Sequence, residues 1–510
     1  MRSSQIETLR QFESFILLSS SKSWSRKCVS TSSDLADGLQ LLMGVNTITD
    51  QFLEEVDRTL RLGRVNQAGK LLSDILPSSP VTRPQRLTLA RLCRRCGLIK
   101  RGLRWLSPAI NPSHRDYLGG SPGATELAEY AALLERKGAV KEALAILSGL
   151  NLDEAPEARF IRAQCHLALW EPEAATRELE VYLSQQLDPY QKFMAEVHHA
   201  IGLVNSNEFD KAQTIVEKAI ETALANSYDR LLVTCYQLRA QIQFCGGQFQ
   251  LAKADLDAAV RILRASGNHD SLLIRKWLSI IRALDLGDAQ PLLLFREEAQ
   301  HQGHSESVRE ADLYLLKLKF EQERADHLLF GSPFPAYRSR VISELGRGPS
   351  GETWIYGAKD GPLFDLNDIR ANRDAPPAKV SALIRILLSD LYRPFGVGGL
   401  FAGLFPDERF DIFTSPHRVH QAVYRTRGWI RDADWPVDIV NRGEKFALKI
   451  RGRIGFLLAY DSSVRRSLPE TDFVIRIVKL FGTERSFTPK RRVRRWVFQP
   501  PLFSAKSNLL

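Results

Sequence analysis

At 510 residues the chain is longer than one hydrophobic core usually covers, so two or more domains are expected. The apolar fraction is 44% and the charged fraction 25%, both ordinary for a globular protein, and no window approaches the roughly 20 apolar residues of a membrane helix. The net charge is +11 and sits wholly in the last third: residues 331–510 hold 30 Lys+Arg against 18 Asp+Glu, whereas residues 1–330 hold 40 against 41. Such asymmetry implies two parts with different partners, the basic one a candidate for a polyanion.

Residues 1–44 read as an N-terminal segment. It carries Glu7 and Glu13 and has only a short apolar run, Phe15–Leu18, too short and too acidic for a secretory leader, so a cytoplasmic location without a membrane partner is expected. The cysteines, Cys28, Cys93, Cys96, Cys165, Cys235 and Cys245, are too sparse for a disulfide scaffold. Cys93-Arg-Arg-Cys96 lacks the second pair or nearby histidines of a zinc site and reads as two small residues on a helix.

Residues 45–330 carry an internal repeat. A Gly-x-x-x-x-Ala unit recurs at Gly63–Ala68, Gly138–Ala143 and Gly247–Ala252, with Asn207–Ala212 the same unit bearing Asn for Gly. Weaker copies are Gly97–Gly102, Trp170–Ala175 and Gly287–Leu292. The first positions, 63, 97, 138, 170, 207, 247 and 287, are 32 to 41 residues apart. Gly or Asn tolerates the left-handed conformation that ends a helix, and the Ala five residues on lets the next helix approach closely. This spacing predicts helical hairpins with Ala68, Ala143, Ala212 and Ala252 buried in their seams. The unit resembles the tetratricopeptide repeat, whose period is about 34 residues. The resemblance implies an α-solenoid with a concave face for a protein or peptide ligand; a solenoid of another family is the alternative.

The pattern changes in residues 331–460. Gly331-Ser-Pro-Phe-Pro335 and Gly346-Arg-Gly-Pro-Ser-Gly351 break the helical periodicity. Short strands are expected at Thr353–Tyr356 and Gly361–Leu366, then helices at Ala378–Leu391, Val397–Leu404 and His417–Ile430, then a hairpin over Val437–Ile450 with its turn at Asn441-Arg-Gly-Glu444. Strands, three helices and a hairpin are the order of a winged helix, and this stretch resembles the OmpR-type output domain of bacterial response regulators. Asp365-Leu366 resembles the end of that family's strand platform, Leu383–Leu388 its first helix, Leu400–Pro406 its second and Arg418–Arg427 its recognition helix. Thr426 stands where that family usually has Leu, and Gly428 falls near the helix end.

Helical spacing places Val419, Val423, Thr426 and Ile430 on one face of the third helix and leaves Arg418, Gln421, Tyr424 and Arg425 toward the other, with Arg427 on the flank. Arg can bridge guanine O6/N7 and Gln can bridge adenine N6/N7 in a major groove. Arg442, Lys445, Lys449, Arg451 and Arg453 on the hairpin could neutralise phosphates. The plain alternative is a solvated face on a protein-binding winged helix.

Residues 461–510 read as a basic C-terminal helix and tail, with an amphipathic helix at Pro469–Phe481 and the cluster Lys490-Arg-Arg-Val-Arg-Arg-Trp496. No phosphate-cradling Gly-rich loop, nucleophile elbow or metal-spaced histidine set occurs. His198-His199 and His301/His304 lack a third ligand, and Pro349 argues against a dinucleotide turn at Gly346–Gly351. A mostly α protein with an α+β winged-helix domain is therefore expected, with no catalytic residue, cofactor or metal. The function the resemblances imply is a transcription regulator whose array binds a protein or peptide and whose head binds duplex DNA. The alternative is a protein–protein interaction scaffold with no nucleic-acid role.

Overall fold

The computed structural model describes residues 48–61, 64–76, 79–265, 272–365 and 376–460. The N-terminal segment, Gly63 and the basic tail after Tyr460 lie outside them. The described residues are mostly helical, with two three-stranded sheets in the C-terminal region.

Seventeen described helices come first: α1 (Asp50–Arg61), α2 (Val65–Asp74), α3 (Arg83–Arg95), α4 (Ile99–Ile110), α5 (Ala124–Lys137), α6 (Val140–Ser148), α7 (Glu157–Ala168), α8 (Pro172–Leu183), α9 (Pro189–Asn205), α10 (Phe209–Ala225), α11 (Asp229–Cys245), α12 (Phe249–Ala265), α13 (Leu272–Leu286), α14 (Gln290–His301), α15 (Ser305–Leu318), α16 (Gln322–Phe330) and α17 (Pro335–Leu345). Their starts are locally encoded. Thr82 and Gln85 form a reciprocal capping box at α3. The Asp188 carboxylate accepts from the Tyr190 and Gln191 amides at α9, at 2.9 and 3.2 Å.

The turns carry the expected backbone. Gly97, Gly138, Gly247 and Gly287 have φ of 73°, 91°, 73° and 63°, and Asn207 and Trp170 join them at 62° and 61°. All six first positions that fall among the described residues are therefore left-handed. For Trp170 this costs about 1–2 kcal/mol, and its buried ring is held 5.0 Å from that of Tyr337 on α17. Five residues beyond each turn lies a buried position: Gly102, Ala143, Ala175, Ala212, Ala252 and Leu292, with Ala68 buried likewise. Gly102 stands for Ala because a Cβ there would come 2.8 Å from Leu133 Cδ2.

Each odd-numbered helix packs on the next odd-numbered one, from α1 through α17, while each even-numbered helix as far as α16 pairs with its predecessor. The odd helices thus form a continuous layer. No strand falls among the described residues of 48–303.

Helix α17 was not expected, since Gly331–Pro335 reads as a break. Pro335 is instead its first residue, where a missing N–H costs nothing because that N–H has no helical acceptor. Gly346, left-handed at φ 63°, ends it.

Beyond Gly346 come β1 (Thr353–Gly357), β2 (Leu363–Asp365), α18 (Ala378–Ser389), β3 (Phe395–Gly396), α19 (Val397–Leu404), α20 (Ser415–Asp432), β4 (Val437–Arg442), β5 (Lys445–Ile450) and β6 (Gly455–Ala459). The three helices pack on one another, and β3 joins β5 and β4 in one sheet of order β3-β5-β4. β6, absent from the sequence expectation, lies between β1 and β2, antiparallel to the first and parallel to the second. Trp435, just before β4, joins the β1-β6-β2 sheet to α20, its ring 4.2 Å from Phe364 and 4.6 Å from Trp429.

Candidate nucleic-acid interface

Helix α20 begins where Asp411 folds the chain. The Asp411 carboxylate accepts from the Phe413 and Thr414 amides and the Thr414 hydroxyl at 2.8 to 3.0 Å, and the Asp411 amide donates to Ser415 Oγ at 2.8 Å. At 100° per residue, Ser415, Val419, Val423, Thr426 and Ile430 fall on one side, and all five are buried. Thr426 fits an apolar seam because its hydroxyl donates to the Ala422 carbonyl at 2.8 Å. The opposite stripe holds His417, Gln421, Tyr424, Arg425 and Gly428.

Gln421, Tyr424 and Arg425 are exposed, Tyr424 at 78%. Gln421 shares a hydrogen bond of 2.9 Å with His417, one turn earlier. A Cβ on Gly428 would meet nothing within 4 Å. This face of α20 is thus unobstructed by any described part of the chain.

Two of the expected contact residues, Arg418 on that face and Arg427 on its flank, are engaged elsewhere. The Arg418 guanidinium is paired with Glu408 and stacks 4.0 Å from the centroid of the Phe405 ring. Its hydrogen bond holds the Glu408 carboxyl below the usual range. Arg427 donates twice to the Ile439 carbonyl, at 3.0 and 2.6 Å, and to Asn441 Oδ1 at 2.9 Å. It therefore ties α20 to β4 and does not join the exposed stripe.

The β4–β5 hairpin turns on Gly443 and Glu444. Gly443 has φ 63° and Glu444 does not share the positive φ, which fits the turn type whose first central residue is Gly. Arg442 and Lys445 are directly opposed across the strands and both exposed. Like charges in that register destabilise a hairpin by a few tenths of a kcal/mol, a local conflict of the kind found at functional sites. Lys449 is exposed, Arg451 pairs with Asp438, and Arg453 lies 3.4 Å from Asp360. Such surface pairs contribute about 0–1 kcal/mol and leave the cations available to a stronger anion.

The β4–β5 hairpin does not project freely. Glu444 at its tip is paired with Lys100 of α4, and Lys137 of α5 lies 3.8 Å from its other oxygen. Helix α19 packs on α5 and α6, and a Cβ on Gly398 would come 3.0 Å from the Lys137 carbonyl. The loop between α19 and α20 is held too. The Phe410 amide donates to Glu142 at 2.7 Å, Asn111 donates to Asp411 at 2.8 Å, and the Tyr130 hydroxyl donates to the Phe410 carbonyl. The exposed stripe of α20 is clear of the preceding helices, whereas α19 and the tip of the β4–β5 hairpin are docked on them. The Gly398-Gly399 pair inside an eight-residue helix was the available signal for that close approach.

The charge asymmetry divides further. Residues 331–460 hold 19 basic against 14 acidic residues, and 461–510 hold 11 against 4. The amphipathic helix and basic cluster expected in the latter stretch lie outside the described residues. Among the described residues no group of three or more His, Cys, Asp or Glu is placed to hold a metal, and no helix is long and apolar enough to cross a membrane. Cys93, Cys96, Cys165 and Cys235 are buried, and burial pushes the Cys93 thiol up to about 12. No family model matches the chain, and no curated protein matches it.

Proposed function

We propose that this chain is a transcription regulator that binds duplex DNA through α20 and the β4–β5 hairpin. The observation that carries this reading is the stripe Gln421, Tyr424 and Arg425, exposed directly opposite the buried side of α20 and flanked by a cationic hairpin. An α-helix with a polar stripe of this width fits a major groove, where Arg425 can bridge guanine and Gln421 adenine. Tyr424 adds an apolar contact suited to a thymine methyl group. Arg442, Lys445, Lys449, Arg451 and Arg453 take phosphates, which carry affinity without sequence information. Arg418 and Arg427 position α20 and make no base contact.

On this reading residues 353–450 form a winged helix. The order of elements and the closing of the β3-β5-β4 sheet by a strand between the first two helices support it. The helices α1–α16 are hairpins of the tetratricopeptide kind. Their recurring left-handed turns, the buried position five residues on and the layer of odd helices support that. A protein or peptide bound by the array acts on the head through α5, α6 and α15, and no catalytic step is involved.

The test is selection of duplexes from a random-sequence pool by the full chain, followed by salt titration on the enriched sequence. Enrichment of one motif, lost in Arg425→Ala, is the expected result. A folded chain that retains no duplex at low salt would falsify this reading and leave the scaffold.

A further inference from the structure

We propose that the array contributes to the DNA surface itself: Lys100, Arg104 and Lys137 continue the cationic strip of the wing and take phosphates flanking the site that α20 reads. This rests on the DNA-binding reading above and extends it from the head to a part of the chain 300 residues earlier.

The geometry is that of the wing tip. Glu444 reaches both Lys100 and Lys137, so α4 and the end of α5 lie within one side chain of the hairpin turn. Lys100 and Arg104 are one helical turn apart on α4 and both are exposed. Arg442 and Lys445 flank Glu444 in the turn. Lys100 and Lys137 thus meet one carboxylate whose neighbours in the hairpin are also cationic, and Arg104 extends the strip along α4. The Lys137 ammonium is pushed below its usual value, first by burial and then by the charge of Lys100, so the two ammoniums crowd each other. A crowd of like charges held by a rigid backbone is unfavourable in the isolated protein and favourable against a polyanion.

The placement is fixed rather than fortuitous. Gly398 brings α19 onto the Lys137 carbonyl with little room for a side chain, which holds the head close to the end of α5, beside the start of α4. Duplex DNA presents a charge every ~1.7 Å along its axis. A backbone that crosses the wing therefore passes Lys100 within the reach of a lysine. Glu444 holds the ammoniums in place until a phosphate replaces it.

The experiment uses the full chain and a fluorescent duplex of about 30 base pairs centred on the selected site, titrated from 50 to 200 mM salt. Lys100→Ala and Arg104→Ala are each expected to reduce the slope of log K against log[salt] by about one unit. The ranking of duplex sequences should stay unchanged, because phosphate contacts do not read bases. Glu444→Gln is expected to tighten binding to all duplexes. Melting temperatures of the variants, whose changed side chains are exposed, control for folding. Wild-type protein that binds no duplex overturns the parent reading. Wild-type protein that binds, with slopes unchanged in both α4 variants, overturns this inference alone. Tighter binding by Lys100→Ala also overturns it, since the Lys100–Glu444 pair would then be a restraint on the wing.

Discussion

Arg309 of α15 and Asp390, just past α18, meet at 2.7 Å with the Arg309 side chain fully removed from solvent. The same guanidinium pairs with Glu306 and lies 5.1 to 5.9 Å from the ring centroids of Tyr392, Phe334 and Tyr337. Burial acts to lower its pKa, but the Asp390 and Glu306 carboxylates more than offset that and the pKa is raised. One turn on, Asp312 accepts from the Tyr392 hydroxyl at 2.9 Å and from Arg296 and Arg324. The last helices of the array and the head therefore share one buried ionic cluster.

Removing one partner of such a cluster leaves an uncompensated charge. Arg309→Ala should cost about 3–5 kcal/mol, as for other buried pairs broken on one side. Asp390→Asn should cost less, since the amide keeps a hydrogen bond to the guanidinium. The informative readout is cooperativity. Wild-type protein should unfold in denaturant with the same midpoint whether followed by an array probe or a head probe. Arg309→Ala should separate the two midpoints; coincident midpoints in the variant would show that the cluster does not couple the two parts.

A single substitution at two glycines should give opposite signs. Gly138 sits at φ 91° between α5 and α6, where any side chain is strained, so Gly138→Ala should destabilise by about 1 kcal/mol. Gly428 lies inside α20, its would-be Cβ meeting nothing, so Gly428→Ala should stabilise by about 0.5–1 kcal/mol. Thermal melts of both variants decide it. A loss of stability at position 428 would mean that its face is covered.

Stability should also fall in mild acid through His327. Its ring is enclosed by Trp354, Tyr356 and Tyr392, and burial lowers its pKa, with the cations Arg296, Arg324 and Arg309 adding and Asp312 opposing. A group whose folded pKa lies below its unfolded value of about 6.5 favours folding above that pH and loses the contribution as pH falls. Unfolding midpoints should therefore drop from pH 7.5 to 5.5, and His327→Phe, which keeps ring contacts, should flatten the drop. An unchanged slope in that variant would assign the acid sensitivity elsewhere.

The sequence exposes what is local. The left-handed turns were legible because Gly and Asn mark them at a steady spacing, and even Trp170 was found by its place in the series. The three head helices and the hairpin were legible from periodicity, and α19 was placed to the residue. What was missed is non-local or ambiguous in type. β6 has partners about 100 residues upstream, and nothing in Gly455–Ala459 names them. Pro335 starts a helix where its neighbours suggested a break. Arg418 and Arg427 carry the same charge as Arg425, and only the packing of Phe405 and the Ile439 carbonyl separates their roles. The contact of the hairpin turn with Lys100 joins residues 344 apart in the chain, which no short pattern encodes.

That separation of arginines yields the sharpest test of the site. Arg425 has an exposed side chain on the outer stripe of α20, so Arg425→Ala should leave the melting temperature unchanged. Its cost should appear only in binding, as about 1–3 kcal/mol on the preferred duplex and little on others. Arg427 makes three hydrogen bonds to β4, so Arg427→Ala should lower stability by about 1–3 kcal/mol and weaken all duplexes alike by loosening α20. Arg451 stands on the surface beyond the hairpin, so Arg451→Ala should leave stability and sequence ranking intact and reduce the salt slope by about one unit. Three arginines within 27 residues thus predict three different combinations of stability, specificity and salt dependence. A merely basic surface would give the third pattern at every position, and a protein-binding surface would give no duplex dependence at any of them.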